Sequence, residues 1–247
     1  MDQTSNPVKQ NMAEHKPRPF IDLMIGILIP SIILMKFSGE NDLGASGALI
    51  LALSFPLGWG LFELIRYRKF NFIALLGLIS VLLTGGIGLL QLDTQWLAVK
   101  EAAIPALIGI AVLVSTQTRY PLIKILLYNP KIMNVEKISV KLDELGHAKL
   151  FEARLMKATY LLSSTFFFSA IMNYILAKWI VSSPAGSEAF NEELGKMTLL
   201  SYPMIAVPSI LMTIAIFYYL WRTINGLTGF SLEEILPAQD KQVDESS

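Results

Sequence analysis

Two ionisable side chains stand side by side within an apolar run: Lys100 and Glu101 in GGIGLLQLDTQWLAVKEAAIP, residues 85 to 105. An ammonium group at mid-membrane costs roughly 2.5–3.5 kcal/mol on insertion scales, and such groups commonly mark a solute or proton path or an intramembrane pair. Lys100 also has a plainer reading. It follows Trp96 by four residues, about 6 Å along a helix, so its stem could carry the charge back to the outer interface where Trp96 would anchor. Glu101 is shorter, and neighbouring helix positions point about 100° apart, so the two do not neutralise each other on one face. Glu101 therefore calls for protonation or for a group on another helix, such as Lys36.

The remaining polar positions have more local readings. Asp93 stands where a helix N-cap belongs, its carboxylate placed to accept from the amides of Gln95 or Trp96. Asn173, inside FSAIMNYILAKW, suits an interhelical hydrogen bond more readily than a substrate contact. Glu63 lies three residues before Arg66, a spacing for a local ion pair. The glycines of TGGIG, Gly85 and Gly86 among them, permit close helix approach. The two histidines, His15 and His147, form no metal-spaced cluster. Asp143 precedes His147 by four residues, but no committed nucleophile accompanies them. There is no phosphate-binding glycine loop and no cysteine. The expectation is a protein without cofactor, metal or enzymatic activity.

The elements that position these residues follow from composition. Of 247 residues, 53% are hydrophobic and only 16% charged, well below the roughly 25% charged of soluble domains. The apolar residues gather into runs long enough to cross a hydrocarbon core of about 30 Å, and LLGLISVLLTGGIGLL lacks the alternation of a membrane barrel. The pattern predicts an all-α polytopic membrane protein with six spans: Phe20–Phe37, Leu43–Ile65, Phe70–Leu92, Gln95–Thr116, Ala158–Val181 and Met197–Arg222. Zero net charge leaves no footprint for nucleic acid.

Between the spans, 16 lysines and arginines fall on one side and three, Lys36, Lys178 and Lys196, on the other. The positive-inside rule then places both termini in the cytoplasm, and the family likeness given below implies a bacterial inner membrane. The divisions along the chain are a cytoplasmic tail (1–19), a four-helix membrane unit (20–116), a cytoplasmic or interfacial helical connection between the fourth and fifth spans (117–157), a two-helix membrane unit (158–222) and a second cytoplasmic tail (223–247). The tail 1–19, ending in KPRP, has no signal-peptide core. In the connection, RYPLIKILLYNPKIMN is too short to cross and is expected along the inner surface. NVEKISVKLDELGHAKLFEARLMK alternates charge at helical spacing, with a break near Gly146. The outer loop SSPAGSEAFNEELGK reads as a turn and a short acidic helix. One internal echo, LIPSIILM at 28–35 against AVPSILM at 206–212, is weak support for duplication.

The stretch GGIGLLQLDTQWLAVK, continuing through ALIGIAVLVSTQTRYPLIKILL, resembles the septation protein A family of bacterial inner-membrane proteins. The features are the double glycine, the acidic turn, the aromatic at the next helix start, the lysine four later and the basic Pro-Leu-Ile segment. FIDL at 20–23, RYRK at 66–69 and NYILAKW at 173–179 extend the likeness over most of the chain, although only residues 85–100 are specific. This chain departs from the family in having KEAAIP where a lysine-proline or lysine-threonine run is common, and in a longer connection and tail. The resemblance singles out Gly85, Gly86, Asp93, Trp96, Lys100, Asn173 and Trp179, to which the residues themselves add Glu101. It implies support of cell-envelope maintenance or division by contact with the bilayer, anionic lipid and other membrane proteins of envelope synthesis or division. The competing expectation is a small transporter or lipid-handling protein using Lys100, Glu101 and Asn173. The charge asymmetry makes a direct prediction: reporter fusions at either terminus should both report the cytoplasm, and a periplasmic signal from either would refute the orientation.

Overall fold

The computed structural model describes residues 23–67, 72–118 and 122–236. The tail 1–19, the FIDL residues before Leu23, Arg68 and Lys69 of RYRK, and the chain beyond residue 236 lie outside the described residues. So do the side chains of the Glu63 and Arg66 pair. Every described element is helical, and no strand occurs among the described residues. Lipid cannot satisfy backbone N–H and C=O groups, and a helix satisfies them internally. We number the helices α1 (Ile29–Lys36, preceded by a π-helical turn at Met24–Leu28), α2 (Gly44–Tyr67), α3 (Phe72–Leu89), α4 (Gln95–Ser115) and α5 (Ile123–Leu126). They continue with α6 (Val135–Glu144), α7 (Ala148–Ile180), α8 (Glu188–Ser201), a second π-helical turn at Tyr202–Ala206, α9 (Val207–Thr228) and α10 (Leu232–Ile235).

Four stretches are long and apolar enough to cross a membrane: Gly44–Phe62, Gln95–Ser115, Ala148–Ile180 and the continuous run Glu188–Thr228. Met24–Lys36 and Leu76–Leu89 are shorter apolar helices. At 1.5 Å per residue, the 33 residues of α7 extend about 50 Å. The charged segment from Ala148 and the apolar one after Ala158 are thus one helix.

Both π turns have a proline behind them. Pro30 and Pro208 each follow the end of a π turn by two residues. A proline ring meets the carbonyl four residues earlier, here Gly26 and Met204, and each lies inside its π turn. The wider turn relieves that clash. The PSI echo is therefore an echo of geometry with a local cause.

The chain divides into two compact units, residues up to Lys100 with Leu176–Leu200, and Glu101–Ile175 with Ser201 onward. In the first, small residues let helices approach. Ala48 and Ala52 of α2 are fully buried. A Cβ on Gly88 would run into Leu49 Cδ2 and lie 3.3 Å from Phe190 Cε1, and one on Gly85 would lie 2.9 Å from Leu53 Cδ1. The acidic helix of the outer loop buries one face: Phe190, Asn191, Leu194, Gly195 and Met197 of α8 are buried, while Glu188 and Lys196 are exposed. Gly195 abuts α1, where a Cβ would meet the Ser31 carbonyl oxygen at 2.9 Å and Met35 Cγ at 2.8 Å.

In the second unit, one core joins α4, α5, α6, α7, α9 and α10 through Val112, Ile123, Ile138, Leu155, Leu220 and Ile235. The segment expected along the inner surface is split. Ile123, Leu127, Tyr128 and Met133 turn into this core, whereas Ile125 and Leu126 stay exposed. Burial pushes the Tyr128 hydroxyl up to about 12, keeping it neutral. Helix α6 is capped by Asn134, whose side chain accepts from the Lys137 amide. It ends at Gly146, whose φ of +68° is a conformation that favours glycine. The break between α6 and α7 therefore falls at the expected residue.

Close approach at Gly195 involves a backbone carbonyl, which cannot swing aside. Gly195→Ala should lower the melting temperature in detergent by an overpacking cost of about 1–3 kcal/mol. Gly86, which has nothing within 4 Å of a Cβ, should tolerate alanine or gain about 0.5–1 kcal/mol from helix propensity. Equal shifts in circular-dichroism melts would remove the close-approach account.

Candidate functional site

The Lys100 ammonium does not return to the surface. Its Nζ donates to Thr84 Oγ1 at 2.6 Å, to Ser80 Oγ at 3.2 Å and toward the Ser80 carbonyl at 3.4 Å, and the residue is buried. Ser80 and Thr84 lie one turn apart on one side of α3. Thr84 in turn donates to the Ser80 carbonyl at 3.0 Å, leaving its oxygen lone pairs toward the ammonium. Ser80 lies nine residues before the end of α3 and Lys100 five residues after the start of α4. The charge therefore reaches level with or deeper than its own backbone, opposite to the direction snorkelling requires. The sequence carried a signal for this in the i, i+4 pair of hydroxyls within LISVLLTGG, but only the hairpin brings them to Lys100.

The turn before α4 follows the expected chemistry. Asp93 Oδ1 accepts the Gln95 amide at 2.8 Å, and Oδ2 accepts the Gln95 side chain at 3.1 Å. Trp96 and Trp179 are 60% and 74% exposed, which suits interface anchors rather than core residues. Gly85 touches Leu53 of α2, but Gly86 faces open space, and the tighter contact belongs to Gly88. Glu101 is half-buried on α4, and Lys36 is exposed at the end of α1. Among the described residues Asn173 bonds within its own helix: its Nδ2 donates to the Ser169 carbonyl at 2.8 Å and approaches Ser169 Oγ at 3.3 Å, within α7. The structure thus gathers Gly85, Asp93, Trp96 and Lys100 at the α3–α4 hairpin. Glu101 and Asn173 belong to the second unit.

Two polar centres were missed by sequence reasoning. Asn191 is fully buried, its Nδ2 donating to Ser38 Oγ at 3.0 Å and the Ala45 carbonyl at 2.7 Å. Glu193 accepts from the backbone N–H groups of Ser182 and Ser183, both at 2.9 Å, and from the Ser183 hydroxyl at 2.8 Å. Both sit in what reads as a solvated acidic loop, where asparagine and glutamate carry no burial signal. On the basic side, His147 Nδ1 lies 2.8 Å from the Leu227 carbonyl. Since a carbonyl only accepts, Nδ1 carries the proton. No group of three or more metal-ligating side chains occurs among the described residues.

No family model, curated protein or solved structure matches this chain. The geometry around Lys100 makes a structural role testable. Thr84→Val should strip an acceptor from a buried ammonium and cost about 1–3 kcal/mol, and much less in a Lys100→Met background. The coupling of about 0.5–3 kcal/mol between the two sites is read from detergent melting of the four variants. Strict additivity would refute the interaction.

Proposed function

We propose that the chain is an integral protein of the bacterial inner membrane that crosses it six times, with both termini in the cytoplasm. In this reading it supports envelope maintenance or division, without catalysis, by presenting a folded basic module to the bilayer and to other membrane proteins. Met24–Lys36 and Leu76–Leu89 supply the two spans beyond the four long stretches, each prolonged by the apolar sequence next to it. The resemblance to septation protein A supports the cellular role. The engagement of Lys100 with Ser80 and Thr84, and of Asn173 with Ser169, supports structural roles for two residues a transport path would use.

One observation carries the module. The first part of the expected tail is folded onto the connection between the fourth and fifth spans. The Asn134 amide donates to the Ile235 carbonyl at 2.7 Å, and Ile235 is buried. Lys137 Nζ pairs with Glu234 at 3.1 Å and sits 4.6 Å from the centre of the Phe230 ring. Ser231 and Glu234 form a capping box on α10. A shaped, basic surface suits recognition by partners or anionic headgroups better than a solvated linker would.

The Ser231 amide and then the Lys137 ammonium hold the Glu234 carboxyl below its ordinary value. A lowered folded-state value contributes stability above the ordinary carboxylate range, and that contribution is lost as pH falls through the folded-state value. The protection of amides 231–236, taken as the hydrogen-exchange rate relative to the intrinsic rate at each pH, should therefore fall on acidification below that range, and Glu234→Gln should lower it already at neutral pH. In cells, deletion of the gene should disturb shape, septum placement or resistance to envelope stress, and truncation after Gly229 should reproduce the defect. Wild-type behaviour of the deletion would overturn the proposed function.

A further inference from the structure

We propose that the second unit carries a specific site for the phosphate headgroup of an anionic phospholipid, built between α7 and α9 around Arg154 and Arg222. The proposal deepens the reading of the basic face as a lipid contact and rests on it for the side of the membrane concerned. The hydrogen bond from His147 to the Leu227 carbonyl ties the start of α7 to the end of α9. Seven residues onward along α7 stands Arg154, and five back along α9 stands Arg222. The two helices run antiparallel, and both side chains come to the same cavity of about 390 Å³, lined also by Tyr219, Thr223, Gly226 and Leu227. That volume falls within the range of about 300–1,000 Å³ typical of ligand pockets.

The wall is selective in its chemistry. Among the described residues it offers two guanidinium groups and the Thr223 side chain, and no carboxylate lines it. Arg154 and Arg222 form no ion pair among the described residues, and Arg222 reaches only the Tyr218 hydroxyl at 3.4 Å. A Cβ on Gly226 would meet nothing within 4 Å, so the space there is open. Guanidinium forks bind phosphate oxygens bidentately, which lysine cannot do.

Depth favours a lipid over free phosphate. Arg222 directly follows Trp221, whose ring packs 5.4 Å from that of Tyr218, an aromatic pair of the kind found at headgroup level. Arg154 lies one helical turn before Ala158, where the apolar run of α7 begins. Both charges therefore sit at the boundary between acyl chains and water, where phosphates are concentrated.

The test uses the full chain purified in neutral detergent, titrated with dioctanoyl phosphatidylglycerol, dioctanoyl phosphatidylcholine and inorganic phosphate. Saturable binding of the anionic lipid, at least tenfold tighter than the zwitterionic one, is expected. Arg154→Gln with Arg222→Gln should weaken it at least tenfold. Gly226→Leu should do the same by filling the cavity while keeping both charges and favouring the helix. Circular-dichroism melts confirm folding, and if the double variant does not fold, Gly226→Leu decides. Equal binding of the two lipids, or wild-type binding by the folded variants, would overturn the site. Inorganic phosphate binding as tightly as the anionic lipid would overturn its assignment to lipid. Because binding is read on purified protein, its failure leaves the cellular phenotype to be judged separately, and a silent deletion leaves the site standing.

Discussion

A hydrocarbon interior offers no hydrogen bond to a backbone amide or to a buried side chain, so every polar group that enters it needs a partner from the protein. In this chain that constraint shapes both the helices and the contacts between them. Lys100 shows it most directly. Its charge lies within an apolar hairpin and is met by two hydroxyls and a carbonyl from one turn of α3. The Asn191 Nδ2 obeys the same rule where α8 meets the end of α1 and the start of α2, although its Oδ1 is buried without a partner among the described residues. Some hydroxyls in the spans turn back on their own helices, as Thr165 does to Leu162 and Thr213 to Ser209, whereas Ser163 reaches the Gly109 carbonyl of α4.

Small residues decide how near the helices can come, and prolines decide where they yield. Gly88, Gly85 and Gly195 stand at contacts with no room for a side chain, whereas Gly86 does not. Pro30 and Pro208 each lie behind a π turn, but Pro56 and Pro105 sit inside uninterrupted α-helix. A proline thus permits a departure from α-helical winding without imposing one.

On the basic side, the chain forms a packed module rather than loops. The connection contributes α5 and α6, the chain turns at Gly146 before α7, and α10 closes the cluster with Ile235. Lys137 joins these pieces twice, through Glu234 and over Phe230. Packing of this kind gives the arginines between α7 and α9 a defined spacing, which a mobile linker could not.

The sequence by itself determined the helical membrane class, the charge asymmetry, the Asp93 turn and the helix break at Gly146. Each follows from local composition or from a residue's own backbone preference. Only the tertiary structure decided where Lys100 points, that Gly88 and Gly195 outrank Gly86, that an acidic loop buries Asn191, and that α10 docks on α6. Those outcomes depend on partners far apart in the chain, such as Ser38 with Asn191 or Asn134 with Ile235. Periodicity states which residues share a face but not which face they meet. The arginine cavity is of the same kind: Arg154 and Arg222 are ordinary flanking charges in sequence, and become one site because His147 holds the two helices in register.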